Sequence, residues 1–116
     1  MLFYLFKSKR AYKKFAAVLI DNNKPVFEVH FGDLRYLDYT SHHDKKRKER
    51  YLARSTKIKD QQGRYTAKNI LSSNFWSVHL LWSEKTLEKS IKKLEDTYDI
   101  KIVNKTDQWY DKKNFK

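Results

Sequence analysis

The fold of this chain is decided by the stretch from Lys14 to Phe31, which reads KFAAVLIDNNKPVFEVHF. Two runs in it, Lys14 to Ile20 and Pro25 to Phe31, are rich in β-branched and aromatic residues, the composition typical of strands. Between them lie residues 21–24, DNNK, whose Asp and Asn side chains favour tight turns. The stretch therefore predicts a β-hairpin.

The second strand of this hairpin alternates with a period of two, so neighbouring side chains should point to opposite faces of the sheet. We expect Phe27, Val29 and Phe31 to face the core. The intervening residues, Glu28 and His30, are expected to face outward.

A basic helix is predicted after the hairpin. Thr40 or Ser41 can cap it, and Asp44 in its first turn suits the positive end of the helix dipole. The helix should end near Arg54 or Ser55, with a narrow apolar contact and a wide basic face. The candidate polyanion-binding residues of this face are Lys45, Lys46, Arg47, Lys48, Arg50 and Arg54.

The remaining elements follow from periodicity. Residues 67–82 carry apolar positions at helical spacing, which predicts one buried helix or two pieces divided at 72–74. Thr86 can cap a cleaner amphipathic helix. Its apolar stripe consists of Leu87, Ile91, Leu94 and Tyr98. Residues 99–103 and 2–6 are each predicted to form a short strand.

These elements predict a small single α+β domain over residues 1–103. It has an N-terminal β-hairpin, then basic and amphipathic helices, then a short C-terminal strand. The composition supports folding, since 40% of the residues are hydrophobic and 16% are aromatic. Residues 104–116 are predicted to form a polar tail. Its aromatic residues Trp109, Tyr110 and Phe115 are expected to bury against a partner.

The charge balance points to an acidic partner. The chain has 26 Lys and Arg residues against 14 Asp and Glu residues, a formal net charge of +12. Self-repulsion of this size is relieved when a polyanion or an acidic protein surface neutralises it. The chain has no cysteine, which excludes disulfides and thiolate metal sites. No apolar segment approaches the roughly 20 residues that a membrane-spanning helix needs, so no membrane span is expected.

One cluster could ligate a metal: Asp38, His42, His43 and Asp44. Imidazole and carboxylate suit zinc or a catalytic divalent ion. The competing interpretation is structural, because a carboxylate at a helix start pairs with the helix dipole. His42 and Asp44 therefore remain weak metal candidates, and we expect no bound cofactor. The chain also has no glycine-flanked serine and no phosphate-cradling glycine loop, so we predict that it is not an enzyme.

The segment from His30 to Arg54 is the most motif-like part of the chain. Its distinctive residues are His30-Phe31-Gly32, Tyr36, Asp38-Tyr39-Thr40, His42, Asp44, Arg47-Lys48, Tyr51-Leu52 and Arg54. They resemble the central motif of an uncharacterised family of small basic proteins of nucleocytoplasmic large DNA viruses. The resemblance resumes at Thr66-Ala67, Trp76-Ser77 and Leu80-Leu81-Trp82. The chain departs from the motif at Ser55, where a histidine is expected, and at residues 68–69, where a glycine is expected.

The resemblance implies a viral gene product, located in the virion and, during assembly, in the host cytoplasm or nucleus. The first functional hypothesis is a minor capsid-associated structural protein. Its basic helix would dock acidic surfaces of neighbouring virion proteins, and its aromatic tail would bury in a neighbour. The alternative is a basic nucleic-acid-binding protein that packages or compacts viral DNA, with little preference for sequence. A metal-dependent nuclease ranks last.

Overall fold

The computed structural model describes residues 1–115 and contains a four-stranded sheet with the order β3-β2-β1-β4. The strands are β1 (Leu2–Lys7), β2 (Lys13–Asp21), β3 (Lys24–Asp33) and β4 (Lys101–Trp109). The first three form an antiparallel meander, whereas β4 returns to pair parallel with β1. The hairpin and the N-terminal strand are therefore confirmed.

The segment between β3 and β4 is mainly helical. It contains α1 (Tyr39–His42), α2 (Lys45–Ser55), α3 (Ser73–Trp76), a π-helix (Ser77–Leu81) and α4 (Leu87–Tyr98). Short 3₁₀ turns lie at Thr66–Lys68 and Lys112–Phe115. The predicted α+β class is confirmed. Across residues 1–115, no helix combines the length and the apolar character needed to cross a bilayer.

The predicted basic helix is two helices rather than one. Asp38 caps α1, and Asp44 caps α2 by accepting hydrogen bonds from the backbone N–H groups of Lys46 and Arg47. Between them His43 adopts a left-handed conformation with φ of 55°. Asp44 is thus the N-cap of α2 and not a residue of its first turn. Its side chain accepts the N–H groups that have no carbonyl partner in a preceding helical turn. The predicted end of the helix at Ser55 is confirmed.

The main core lies between the sheet and the layer formed by α3, the π-helix and α4. Its centre is Trp76, whose ring contacts Phe3 and Phe31 at centroid distances of 4.8 and 6.1 Å. The core contains buried Val29 and Phe31, as predicted, but Phe27 is 39% exposed. Phe27 lies near the hairpin turn, whereas the helices cover the opposite end of β3. The predicted stripe of α4 does pack on this core.

The other face of the sheet carries a second cluster, which the sequence did not predict. Its buried residues are Phe6, Ala16, Val18, Ile20 and Tyr110, with Phe115 packed against them. His30 points to this face and is buried rather than outward-facing. The cause is that β4 continues to Trp109, so that the next residue, Tyr110, packs on this face of the sheet beside His30. The expected boundary between residues 103 and 104 therefore falls inside a strand.

Candidate anion-binding groove

A groove of about 670 Å³ opens where the meander meets the helices. We call it the basic groove. Its strand wall consists of Lys13, Lys14, Gly32, Asp33, Tyr36, Leu37 and Asp38. Its helix wall consists of Arg47, Arg50, Tyr51 and Arg54, all from α2. Its third side consists of Ser73, Asn74, Ser77, Leu81 and Trp82, from α3, the π-helix and the residue after it.

Three arginines of α2 point into the basic groove. Arg47, Arg50 and Arg54 are spaced by three and four residues, so they share one face of the helix. All three are exposed to solvent. Within residues 1–115, the ion pairs include none of these guanidinium groups. The helix wall therefore presents three positive charges that remain available to an anion.

The strand wall adds two lysines and two aspartates. The ammonium group of Lys14 pairs with Asp38, whereas Lys13 is absent from the ion pairs of the described residues. Asp33 accepts hydrogen bonds from the Nε and Nη2 atoms of Arg35 at 3.0 and 2.9 Å, which lowers the pKa of its carboxyl to about 2. The lining carries five positive and two negative side chains, a formal net charge of +3.

The three sides of the groove are tied together by polar contacts. Asn74 Nδ2 donates to the carbonyl of Ser55 at 2.8 Å, joining α3 to the end of α2. Ser73 Oγ donates to the carbonyl of His30 at 2.8 Å, joining α3 to β3. The Lys14–Asp38 pair links β2 to the loop before α1. These bonds fix the sides of the groove relative to one another.

Aromatic side chains line the same groove. Tyr51 and Trp82 stack in parallel, with centroids 4.1 Å apart and planes within 8°. Burial raises the pKa of the Tyr51 phenol. Tyr36 lies on the opposite wall and is 66% exposed. The groove thus combines free positive charge with one ring pair that is fixed and one ring that is open to solvent.

Gly32 is the point at which the strand wall approaches the π-helix. Its φ is +81°, a region that side chains rarely adopt. A Cβ atom there would lie 2.9 Å from Leu81 Cδ1 and 3.1 Å from Lys14 Cβ. A glycine at this position lets the wall close against the helix without distortion.

The structure divides the predicted basic residues into two groups. Arg47, Arg50 and Arg54 line the groove, whereas Lys45 and Lys46 are exposed outside it. The third lysine of this set has a structural role. Lys48 Nζ donates to the carbonyl of Ser83 at 2.6 Å and lies 4.8 Å from the centre of the Tyr39 ring.

Two of the three predicted interface aromatics are packed inside the domain. Tyr110 is 7% exposed, with its ring centroid 5.6 Å from that of Phe6. Burial raises the pKa of Tyr110 to about 12. Phe115 contacts both Phe6 and Tyr110, at centroid distances of 5.9 and 6.2 Å. Trp109 is the exposed one of the three, at 55%, whereas Phe115 is half-buried; Lys7 Nζ lies 5.4 Å from the centre of the Trp109 ring.

The candidate metal ligands make other contacts, although the buried Nε2 atom of His42 has no hydrogen-bond partner within the described residues. His42 Nδ1 accepts a hydrogen bond from the backbone N–H of Asp44 at 2.9 Å, and Asp44 caps α2. Asp38 accepts hydrogen bonds from Thr40 and pairs with Lys14. In the described part of the chain, no group of three or more His, Asp or Glu residues is placed to hold a metal ion.

A further polar cluster, formed by Ser8, His30 and Glu28, lies outside the groove. Ser8 Oγ is 2.6 Å from His30 Nδ1, and His30 Nε2 is 3.5 Å from a Glu28 carboxylate oxygen. Hydrolases also use a serine, a histidine and an acid, but with the serine at Nε2 and the acid at Nδ1, the opposite assignment of the two ring nitrogens. Here, however, Ser8 and His30 are buried, and the Ser8 oxygen accepts the backbone N–H of Arg10 at 3.0 Å. The cluster therefore fixes the turn after β1 against β3.

Comparison with known proteins gives one finding. Residues 4–55 are similar to a protein family described as a family of unknown function (DUF5754). This segment covers a little under half of the chain and contains the strand wall and the helix wall of the basic groove. No curated protein and no solved structure matches the chain.

Proposed function

We propose that this protein binds nucleic acid through the phosphate groups, which enter the basic groove. The observation that carries the proposal is the convergence of Arg47, Arg50 and Arg54 with Lys13 on one recess, with no ion pair to these groups among the described residues. Guanidinium groups suit phosphate because their planar fork donates two parallel hydrogen bonds. In the setting that the resemblance implies, this activity belongs to the packaging or compaction of a large viral DNA genome.

The arrangement of the α2 arginines favours nucleic acid, rather than the acidic surface of a folded protein, as the ligand of the groove. A phosphate backbone supplies closely spaced negative charges along one line, and the three arginines follow one line along α2. A docking surface for a folded protein is commonly built around a buried aromatic or apolar centre with a polar rim. The lining of this groove is instead dominated by charge, with five cationic side chains against three aromatic rings.

Capsid association is the second candidate, and Trp109 supports it. This exposed indole lies at the end of edge strand β4, beside Lys7 and away from the residues that line the groove. Tryptophan is enriched among residues that anchor protein interfaces. In this proposal a minor structural protein of the virion contacts an acidic neighbour through Trp109. A Trp109→Ala variant should then lose incorporation into particles while retaining its affinity for nucleic acid.

The salt dependence of binding tests the main proposal. Four cationic side chains of the groove form no ion pair within residues 1–115, so the log of the affinity for an oligonucleotide should fall with log salt with a slope of about −3 to −4. Fluorescence anisotropy with a labelled oligonucleotide, titrated between about 50 and 200 mM salt, measures this slope. Absence of binding at the low end of this range would refute the proposal.

A matched pair of double variants locates the site. Arg50→Gln/Arg54→Gln removes two charges from the groove wall, and Lys45→Gln/Lys46→Gln removes two from the same helix outside the groove. Glutamine keeps a high helix propensity in both. The first variant should reduce the slope by about 1.5 to 2, and the second should leave it nearly unchanged. Equal effects of the two variants would show that binding depends on diffuse charge rather than on the groove.

A further inference from the structure

We infer that the basic groove is built for a single strand and that Tyr36 stacks on an unpaired base. This inference rests on the proposed function and names its substrate class. It narrows the sequence-based hypothesis of DNA binding with little preference for sequence to the binding of a single strand. Three features of the groove lead to it: its shape, the exposure of Tyr36, and the fixed ring pair opposite.

Shape is the first feature. Elements that read duplex DNA usually protrude, because they must enter a major groove about 12 Å wide. The guanidinium groups of α2 instead line a recess of about 670 Å³, with the strand wall rising on the other side. Recesses of roughly 300–1,000 Å³ accommodate ligands of drug size. One or two nucleotides of a single strand match this size, whereas a duplex would contact only the exposed cationic side chains at the rim.

Tyr36 is the second feature. It follows β3 in the loop before α1, lines the groove and is 66% exposed, so its ring is not part of either core cluster. Leu37 beside it is also exposed and also lines the groove. Bases of a single strand stack on such exposed rings without regard to sequence, because every base has a π-face. Bases in a duplex are already stacked on each other and gain little from the contact.

The fixed ring pair is the third feature. Tyr51 and Trp82 stack on each other at 4.1 Å, which leaves their outer edges as a rigid apolar side of the groove. Tyr51 lies between Arg50 and Arg54 in sequence, so the apolar side and the phosphate-binding groups belong to the same helix. This alternation of cationic and aromatic groups is the composition found where proteins track single strands.

The experiment compares one labelled oligonucleotide of about 12 nucleotides, single-stranded, with the duplex of the same sequence. The wild-type protein should bind the single strand at least roughly tenfold more tightly at equal salt. Tyr36→Ala should weaken single-strand binding by roughly 5- to 100-fold, the range for removal of one stacking ring, and should leave duplex binding unchanged. Tyr36→Phe, which keeps the ring, should bind as the wild type does.

The control variant is Tyr65→Ala. Tyr65 is also exposed and also has lysines near its ring, but it does not line the groove. Equal affinity for single strand and duplex, or equal effects of Tyr36→Ala and Tyr65→Ala, would overturn the inference and leave the proposed function standing. Failure of both nucleic acids to bind would overturn the two together.

Discussion

Asp38→Asn should change stability and anion affinity in opposite directions. The Asp38 carboxylate caps α1 by accepting the backbone N–H of Thr40 at 3.1 Å, and it also pairs with the Lys14 ammonium inside the groove. Asparagine keeps an oxygen that can cap the helix, since Asn and Asp are similarly effective at this position. The substitution therefore removes chiefly the ion pair.

The expected loss of stability follows from burial. The Asp38 and Lys14 side chains are 5% and 16% exposed, so the pair is largely removed from water. Removing one partner of a buried pair costs about 3–5 kcal/mol, and the partial exposure of Lys14 toward the groove places the cost near about 2–3 kcal/mol. For a chain of this size that lowers Tm by about 6–15 °C. The protein should remain folded at room temperature, since domains are typically stable by about 5–15 kcal/mol.

The affinity for an oligonucleotide should rise. The formal net charge of the lining changes from +3 to +4, and the released Lys14 ammonium can contact phosphate. The salt dependence should become steeper by about 0.7 to 0.9 in the slope. Thermal unfolding followed by circular dichroism, together with anisotropy titration, measures both effects on one sample.

Asp33→Asn is the matched control, because it removes an equal charge from the lining. The Asp33 carboxylate pairs with Arg35 at the surface, where ion pairs contribute little to stability. This variant should raise affinity with little change in Tm. An Asp38→Asn protein with the same Tm as the wild type would refute the stabilising role of the Lys14–Asp38 pair. A folded Asp38→Asn protein with weaker oligonucleotide binding would refute the groove as the anion site.

Two further predictions concern the glycine at the groove and three histidines that are buried or partly buried. Gly32→Ala should destabilise the protein by about 2–4 kcal/mol in urea unfolding, because the left-handed φ and the contact with Leu81 both oppose a Cβ atom. Gly63→Ala, with φ of +78° and open space around it, should cost about 1–2 kcal/mol, and equal losses would contradict the close approach at Gly32. Burial lowers the pKa of three histidines, which are His30, His42 and His79. Their contribution to stability is therefore fully present above about pH 6.5 and is lost as the pH falls through the folded-state pKa values, by up to about 1.4 kcal/mol per pH unit for each. A His79→Gln variant should lose stability less steeply between pH 6.5 and 5, and an unchanged slope would contradict this origin.

The elements predicted correctly are those that local sequence specifies. The hairpin follows from two strand-like runs around a DNNK turn, and the structure places β2 and β3 on them. Helix α4 follows from the Thr86 cap and an apolar stripe at helical spacing. Neither inference needed information from another part of the chain.

The errors arise where distant segments meet. His30 was expected to face solvent, because alternation along one strand shows which residues share a face but not what covers that face. The cover is Tyr110, placed there by the parallel pairing of β1 with β4 across almost the whole length of the chain. The break at His43 was missed for a different reason. Two capping residues, Asp38 and Asp44, stand six positions apart, and either could have been assigned to one continuous helix.

The basic groove was only partly predictable. Composition identified the arginines of α2, but it could not separate them from Lys45 and Lys46, which belong to the same basic run and do not line the groove. The sequence pattern does not indicate Lys13 and Lys14 as site residues, because they stand at the beginning of a strand. A helical projection of residues 45–55 would have grouped Arg47, Arg50 and Arg54. The lysines become part of the site only when the sheet is assembled.

The segment that matches the family supplies only two of the three sides of the groove. Residues 4–55 contain both charged walls, but the third side comes from Ser73 to Trp82, outside that segment. The same outside segment supplies Trp76, which packs on Phe3 and Phe31 and covers the sheet. Without it, the meander would expose its main apolar face, and α2 would lose the Tyr51–Trp82 stack that holds it beside the strands. A chain that shares only the 4–55 segment can therefore share the charges, but the recess that we propose for a single strand requires a counterpart of the α3 and π-helix segment.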